Sequence, residues 1–244
     1  MTANPKFKAL LRERFKGPPP LENGARLSAA EFLRRYGAMP DVRKAELIEG
    51  IVRMPSPVRV TQHGEPDNFI QGWLFMYTAS TPGLIAASNS TVKLDVDNVP
   101  QPDALMFFEL DADGRERLDR EGYLVSAPEL VVEIAASSVS IDMHEKLRLY
   151  RRHGVREYLV WLAEEERIVW FHFAEGETAE LPADARGRVA SRVFPGLVLD
   201  VRAALARHPQ GVLATLQSAM KSRAYREFSQ RLAAPKPTAK RQKR

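Results

Sequence analysis

Three short stretches of the chain place side chains that could do chemistry inside apolar sequence. Asp103 follows Pro102 at the start of the run ALMFF, Glu133 stands within LVVEIA, and Lys146 follows Asp142 by four residues. An ionised carboxylate in a hydrophobic strand is costly unless a partner lies against it. Two such carboxylates and a lysine are what a Mg²⁺-dependent phosphodiesterase needs, because the metal neutralises the phosphate and activates a water molecule.

Asp103 and Glu133 are the predicted metal ligands of this set. Each lies at an end of a predicted strand, so neighbouring strands could bring both to one edge of a sheet. The backbone carbonyl of Ile134 is a further candidate oxygen ligand, and water and substrate phosphate would fill the remaining positions around Mg²⁺. Lys146, on the same face of a predicted helix as Asp142, would then orient the attacking water or stabilise charge on the transition state.

Each of these features also has a plain structural interpretation. Pro-Asp is a common turn pair, Glu133 could end its strand in solvent, and Asp142 with Lys146 could be an exposed ion pair contributing roughly a few tenths of a kcal/mol. Ser137 and Ser138 could bind phosphate, although capping of the helix is the favoured interpretation. The order of the two acids and the lysine on successive elements nevertheless favours the metal site.

The elements that must position these residues follow from hydrophobic periodicity and turn residues. Ser28 and Glu31 have capping-box spacing, which predicts a helix ending near Gly37. The remaining predictions run in chain order: a hairpin around Glu49-Gly50, a helix over 66–79, strands over Leu84–Val96, Ala104–Phe108 and Leu130–Ala135, a helix over 142–153, strands in VREYLVWLA and RIVWFHF, a short extended segment in VFPGLVLDV, and a helix over Pro209–Leu232. Because the middle strands are continuously apolar, we expect a sheet covered on both faces.

This pattern predicts one α/β domain with peripheral ends. We assign residues 1–26 to a basic arm and a Pro/Gly linker, 27–205 to the folded domain, 206–232 to a C-terminal helix and 233–244 to a disordered basic tail. Trp161, Trp170 and Phe171 are expected to pack in the core or in a dimer interface rather than to stack on bases.

Composition narrows the class of protein. The 244 residues are 44% hydrophobic and include no cysteine, which excludes disulfides and thiolate metal sites and fits a cytoplasmic protein. No apolar stretch approaches the roughly 18 residues of a membrane span. Residues 1–16 carry five Lys or Arg and one Glu, and residues 221–244 carry nine and one, which leaves 22 basic and 29 acidic side chains between them. Basic ends on an acidic body suit salt-sensitive contact with DNA, although they could equally be solvated tails.

At this point the sequence resembles a known family. The matching residues are Glu46 and Gly50 in AELIEG, His63, Gln101-Pro102-Asp103, Glu133 in LVVEIAASS, Lys146, Tyr150, Gly154, Glu157 and Tyr158 in EKLRLYRRHGVREYLV, and the segment FPGLVLD. Together they are similar to the PD-(D/E)XK nuclease superfamily and, within it, to the Uma-type restriction endonucleases, over residues 27–205. The resemblance implies a restriction-endonuclease-like core of helix, three strands, helix and strand, with a mixed central sheet and an N-terminal β-hairpin. It also implies binding of Mg²⁺, for which Mn²⁺ would substitute, and cleavage of DNA.

Three positions depart from the family pattern. The lysine usually found two residues after the glutamate is Ala135 here, which points to Lys146 on the following helix. The typical Ser-Pro-Ser is Ala136-Ser137-Ser138, and the aspartate expected after the strand LVWL is absent from LVWLAEEE. None of these changes removes a predicted metal ligand.

Two accessory residues have open roles. Glu46 could be an additional acid at the metal, as an N-terminal acid often is in this superfamily, or it could anchor the hairpin. His63 could contact phosphate or carry a proton, since the ordinary pKa of histidine lies near neutrality, or it could be structural.

The leading hypothesis is a Mg²⁺-dependent DNA endonuclease, which as a homodimer could cut two strands. The alternative is a catalytically inactive protein that keeps the nuclease fold for nucleic-acid binding or assembly. A glycoside hydrolase with two carboxylates is disfavoured, because such an enzyme needs a sugar cleft rather than a lysine beside the acids.

Overall fold

The computed structural model describes residues 17–55, 57–174 and 176–234. The predicted basic arm over 1–16 and the last ten residues of the predicted tail lie outside these ranges. Contacts divide the chain into two units, residues 1–56 with 93–101 and residues 57–92 with 102–244. The domain boundaries drawn from the sequence stay predictions.

The described residues of the first unit form a helix and a short hairpin. Helix α1 (Ala29–Tyr36) begins after Ser28, whose hydroxyl accepts the Glu31 backbone N–H as the capping-box spacing predicts. Strands β1 (Glu46–Ile48) and β2 (Ile51–Arg53) are antiparallel and joined by Glu49-Gly50. Both turn residues have positive φ, 51° and 72°, and glycine accepts such a conformation at no steric cost. The predicted N-terminal hairpin is therefore confirmed.

The second unit is built on a mixed six-stranded sheet. In chain order its elements are π1 (Val60–Gly64), α2 (Glu65–Ala79), β3 (Leu84–Ser88), β4 (Ala104–Phe108), β5 (Leu130–Ala135), π2 (Ile141–Lys146), α3 (Leu147–Arg152), β6 (Glu157–Leu162), β7 (Arg167–Ala174), β8 (Glu177–Glu180), β9 (Arg188–Ala190), β10 (Val198–Asp200), α4 (Val201–Leu205), α5 (Pro209–Ala219) and α6 (Arg223–Ala233). The order in the sheet is β3-β4-β5-β6-β7-β8, and β9 pairs with β10 separately. Only the β5–β6 pair is parallel. The expected α/β class and mixed central sheet are confirmed.

The two faces of the sheet carry different residues. Val132 and Ile134 of β5 belong to the main core with Trp73 and Leu74 of α2. Because side chains alternate along a strand, Glu133 lies on the opposite face. Strands β4, β5 and β6 are buried along almost their whole length, as the continuous apolar runs predicted.

Three predicted elements differ in extent from those observed. The predicted strand over Leu84–Val96 stops at Ser88, where Asn89 takes a φ of 46°. The predicted helix over 142–153 begins as the π-helix π2 before continuing as α3. The predicted helix over Pro209–Leu232 is two helices, because the Ser222 hydroxyl accepts the Tyr225 N–H and starts a new helix there.

No helix among the described residues has both the length and the hydropathy needed to cross a membrane.

Candidate active site

Asp103 lies immediately before β4 and is held by the neighbouring strand. Its carboxylate Oδ2 accepts the backbone N–H of Ile134 at 2.8 Å. Its backbone carbonyl accepts the side-chain amide of Gln71 at 2.9 Å and the N–H of Asn89 at 3.0 Å. Three separate segments therefore fix the position of Asp103.

Glu133 lies beside Asp103 on the same face of the sheet. In the antiparallel β4–β5 pair Ala104 is opposite Val132, so continuing that register by one residue places Asp103 opposite Glu133. Side chains directly opposite one another in such a pair have Cβ atoms roughly 5 Å apart. The structure thus brings together the two carboxylates predicted from sequence.

Lys146 reaches Glu133 from π2. Its Nζ donates to Glu133 Oε1 at 2.9 Å and lies 3.5 Å from Asp142 Oδ1. The side chains of Asp103, Glu133, Asp142 and Lys146 are all nearly inaccessible, with residue exposures of 2, 2, 2 and 4%. The interpretation of Asp142 and Lys146 as an exposed ion pair is therefore wrong.

Two further hydroxyl groups bind these carboxylates. Tyr150 OH donates to Glu133 Oε1 at 3.0 Å, and the Ser138 hydroxyl donates to Asp142 Oδ2. The side chain of Ser138 thus binds a carboxylate, while its backbone carbonyl accepts the N–H groups of Ile141 and Asp142.

Tyr158 of β6 is buried and contacts two residues of the cluster, Asp142 and Tyr150. Its OH donates to the backbone carbonyl of Asp142 at 3.0 Å, and its ring centroid lies 5.1 Å from that of Tyr150. Burial raises the pKa of Tyr158 well above its ordinary value, and the nearby Asp142 and Glu133 carboxylates raise it further. Tyr158 is therefore a neutral hydrogen-bond donor that ties the start of π2 to the sheet.

His63 approaches Asp103 from the other π-helix. Its Nε2 lies 3.3 Å from Asp103 Oδ2, and its side chain is 19% exposed. Both π-helical segments of the second unit thus carry a cluster residue, His63 on π1 and Lys146 on π2. Such segments are rare in proteins and are frequent at functional sites.

Glu46 belongs to the first unit and makes an anchoring contact there. It lies on β1, is 7% exposed, and its Oε1 accepts the backbone N–H of Gln101 at 2.8 Å. This bond holds the segment that leads into Pro102-Asp103. A role of Glu46 at a metal stays a prediction.

The oxygen atoms of the cluster fit a hard divalent cation. Along an extended strand the N–H and C=O of one residue point to the same side, so the Ile134 carbonyl points towards the side on which its N–H meets Asp103. Asp103, Glu133 and this carbonyl are the oxygen ligands that Mg²⁺ accepts together with water. Among the described residues no group of three or more His, Cys, Asp or Glu side chains is arranged to hold a metal. Asp103, Glu133 and the Ile134 carbonyl are the candidate oxygen ligands that this cluster offers.

Two residues that support the cluster are only partly evident in the sequence. Asp142 stands out there as an ion-pair partner of Lys146, and Tyr150 only as part of the family motif. The i, i+4 spacing of Asp142 and Lys146, followed by Tyr150 four residues later, was the available signal. Gln71 gave none, because its contact with the Asp103 carbonyl joins residues 32 positions apart.

Comparison with solved structures shows that the chain shares its fold with a protein described as a nuclease. The chain is similar to a protein described as "a putative nuclease belonging to DUF820 from Anabaena variabilis ATCC 29413", with a TM-score of 0.56 and 16% sequence identity. The similarity covers 72% of this chain and 98% of the other. At this identity the similarity establishes a shared fold.

The family follows from a separate comparison. Residues 29–202 match the model of the Uma2 family, described as "Putative restriction endonuclease". The chain belongs to the Uma2 family, as the resemblance in its sequence indicated. No curated protein matches the chain.

Proposed function

We propose that this chain is a Mg²⁺-dependent endonuclease that hydrolyses phosphodiester bonds of DNA. The observation that carries the proposal is the meeting of Asp103, Glu133 and Lys146 in one buried cluster. Burial of ionised groups is costly and is maintained where charges are paired or coordinate a metal. Membership of the Uma2 family supports the same reaction class.

Each residue of the cluster has a distinct role in this proposal. Asp103, Glu133 and the Ile134 carbonyl would hold Mg²⁺, with Mn²⁺ as a substitute. When bound, the metal would lower the pKa of a water molecule and neutralise charge on the phosphate. Lys146 would orient the attacking water or stabilise the charge that develops on the phosphate oxygens.

His63 and Glu46 have supporting roles in the proposal. His63, 3.3 Å from Asp103 Oδ2, would contact the phosphate or carry a proton at that carboxylate. Glu46 would assist by fixing Gln101, through the bond at 2.8 Å, and hence the chain entering Asp103.

DNA is the proposed substrate because of charge at the ends of the chain. Residues 1–16 and 221–244 together carry fourteen Lys or Arg and two Glu. Contacts between such segments and phosphates are independent of sequence and weaken steeply as salt rises. We therefore expect affinity for duplex DNA to fall as the salt concentration rises.

The test is a nicking assay on supercoiled plasmid with Mg²⁺ or Mn²⁺. Asp103→Ala and Lys146→Ala should each reduce the nicking rate by about 100-fold or more. Asp184→Asn is a matched control, because Asp184 forms an i, i+4 ion pair with Arg188 at the surface outside the basic ends, and it should cut at the wild-type rate. Undiminished cutting by the purified Asp103→Ala/Lys146→Ala double variant would assign the activity to a contaminant and remove the proposal.

The alternative is a nucleic-acid-binding protein without turnover. The changed serine segment, Ala136-Ser137-Ser138, and the basic ends favour it. Salt-dependent DNA binding, with no heat of Mg²⁺ or Mn²⁺ binding by calorimetry and no nicking, would establish this alternative in place of the enzyme.

A further inference from the structure

Lys146 lies against two carboxylates with different predicted roles, Glu133 among the metal ligands and Asp142 outside them. Its Nζ is 2.9 Å from Glu133 Oε1 and 3.5 Å from Asp142 Oδ1. An ammonium group has three N–H donors. Two carboxylates in fixed positions therefore determine where the third N–H points.

The two carboxylates differ in how firmly they are held. Asp142 Oδ1 faces Lys146 while its Oδ2 accepts the Ser138 hydroxyl. The backbone carbonyl of Asp142 also accepts Tyr158 OH from β6 at 3.0 Å. Asp142 is thus fixed through both its side chain and its backbone, and every one of these partners is a group other than Asp103 or Glu133.

In the proposed function the Glu133 carboxylate has two partners, the Lys146 amine and Mg²⁺. With Mg²⁺ bound, Glu133 would direct oxygen towards the cation, and its hold on the Lys146 amine would weaken. A second carboxylate outside the predicted metal ligands would then keep the amine in place.

We propose that Asp142, supported by Ser138, is a positioning residue that holds the Lys146 amine at the reaction centre. This inference rests on the proposed function and adds a residue to it. Asp142 and Lys146 both lie in π2 at i, i+4 spacing, and both side chains are buried. Asp142 acts through Lys146 and does not touch the metal or the substrate.

The kinetic test compares Asp142→Ala with Asp142→Asn in the full chain. Asp142→Ala should reduce kcat about 10- to 100-fold, as loss of an outer partner of a metal-site group does. The KM for plasmid and the Mg²⁺ concentration for half-maximal rate should not change. Asp142→Asn should recover part of kcat, because its Oδ1 can still lie beside the Lys146 amine and its amide can donate to the Ser138 hydroxyl. The matched control is Asp184→Asn, which weakens a surface i, i+4 ion pair with Arg188.

A spectroscopic test separates this inference from the proposed function. In protein labelled with ¹⁵N-lysine, a buried, hydrogen-bonded ammonium group exchanges its protons slowly and gives a distinct signal, identified by its absence in Lys146→Met. This signal should be lost in Asp142→Ala and kept in Asp142→Asn and in Asp184→Asn. If wild-type protein shows the signal but does not cut DNA, the proposed function fails while the positioning role is still decided by the spectra.

Three outcomes would overturn the positioning role. They are a wild-type kcat in Asp142→Ala, a Lys146 signal unchanged by that substitution, and a loss confined to KM or to the metal requirement. If Asp142→Ala does not fold, Asp142→Asn and Ser138→Ala carry the test. Ser138→Ala should then lower kcat with KM unchanged, and wild-type kcat with an unshifted Lys146 signal in both variants would overturn the role.

Discussion

Two buried glutamates on neighbouring parallel strands accept hydrogen bonds from different kinds of donor. Glu133 of β5 pairs with Val160 of β6, and Glu157 of β6 pairs with Leu130 of β5, so the two glutamates are three positions apart along the paired strands. Because side chains alternate along strands, the two carboxylates lie on opposite faces of the sheet. Glu133 accepts from the side chains of Lys146 and Tyr150. Glu157 accepts from the Ser191 hydroxyl and the N–H groups of Arg192 and Val193.

The difference shows how one residue type can belong to a proposed active site at one position and to a structural anchor at another. The donors to Glu157 belong to a single loop, residues 191–193, so its carboxylate closes that loop onto the sheet. Burial raises the pKa of Glu157 above its ordinary value. Burial also lowers the pKa of His172, whose Nδ1 is 3.8 Å from Glu157 Oε1. A carboxylate surrounded by neutral dipoles of one loop is an anchor, whereas a carboxylate facing an ammonium group and a second acid can support a reaction.

The largest expected effect is a difference in DNA nicking between substitutions of Glu133 and of Glu157. Glu133→Gln should reduce metal-dependent nicking by about 100-fold or more, because an amide is a poor substitute for a charged metal ligand. Glu157→Gln should cut at close to the wild-type rate, because it lies on the other face of the sheet. Plasmid nicking under single-turnover conditions measures both. Equal losses in the two variants, with both folded by circular dichroism, would contradict the assignment of chemistry to one face.

The second effect separates them by stability. Glu157→Ala should lower the free energy of unfolding by about 3 kcal/mol, because it removes the acceptor of the Ser191 hydroxyl and of the Arg192 N–H and one of the two acceptors of the Val193 N–H. Urea denaturation measures the change. Glu157→Gln is the control and should lose less, since its amide oxygen still accepts. A loss below about 1 kcal/mol in Glu157→Ala would mean that water replaces the lost acceptor.

The sequence predicts the central residues of the cluster better than the groups that contact them. Asp103, Glu133 and Lys146 stand out because charged residues in apolar elements demand partners. For Asp142 the sequence leaves an exposed ion pair open, because its spacing places it beside Lys146 but does not reveal which face of the helix is buried. Burial depends on the sheet beneath π2, which is a tertiary property.

The sequence predicts those helices and strands that a local residue pattern determines. It does not predict those whose extent depends on contacts between distant residues or that lack an apolar pattern. The β1–β2 hairpin follows from Glu49-Gly50, and β5 follows from its apolar run. The break between α5 and α6 was missed. There Tyr225 OH donates to the Ser80 carbonyl at 2.6 Å, a contact across 145 positions that fixes α6 independently of α5. Strand β8 (ETAE) was missed because it is exposed throughout and shows no apolar alternation.

The third effect is a dependence of stability on pH that belongs to Glu157. Its folded-state pKa is raised, so between its ordinary pKa of 4.5 and the raised value the folded protein holds a proton that the unfolded chain has released. Stability from this group is therefore fully present below pH 4.5 and is lost as pH rises through the folded pKa. The difference in free energy of unfolding between wild type and Glu157→Gln should accordingly shift against wild type as pH rises. Urea denaturation of both proteins across that range measures it, and a difference independent of pH would show that Glu157 keeps its ordinary pKa.

The smallest effect sharpens the contrast between buried and exposed ion pairs. Arg223 and Glu227 of α6 have the same i, i+4 spacing as Asp142 and Lys146, but their side chains are 87 and 49% exposed. Water screens an exposed pair, and holding two long side chains together costs conformational entropy. Glu227→Gln should therefore change the free energy of unfolding by less than about 0.5 kcal/mol, and raising the salt concentration should reduce even that difference. A loss as large as that of Asp142→Asn, measured by the same urea titration, would show that spacing rather than burial determines what such a pair contributes.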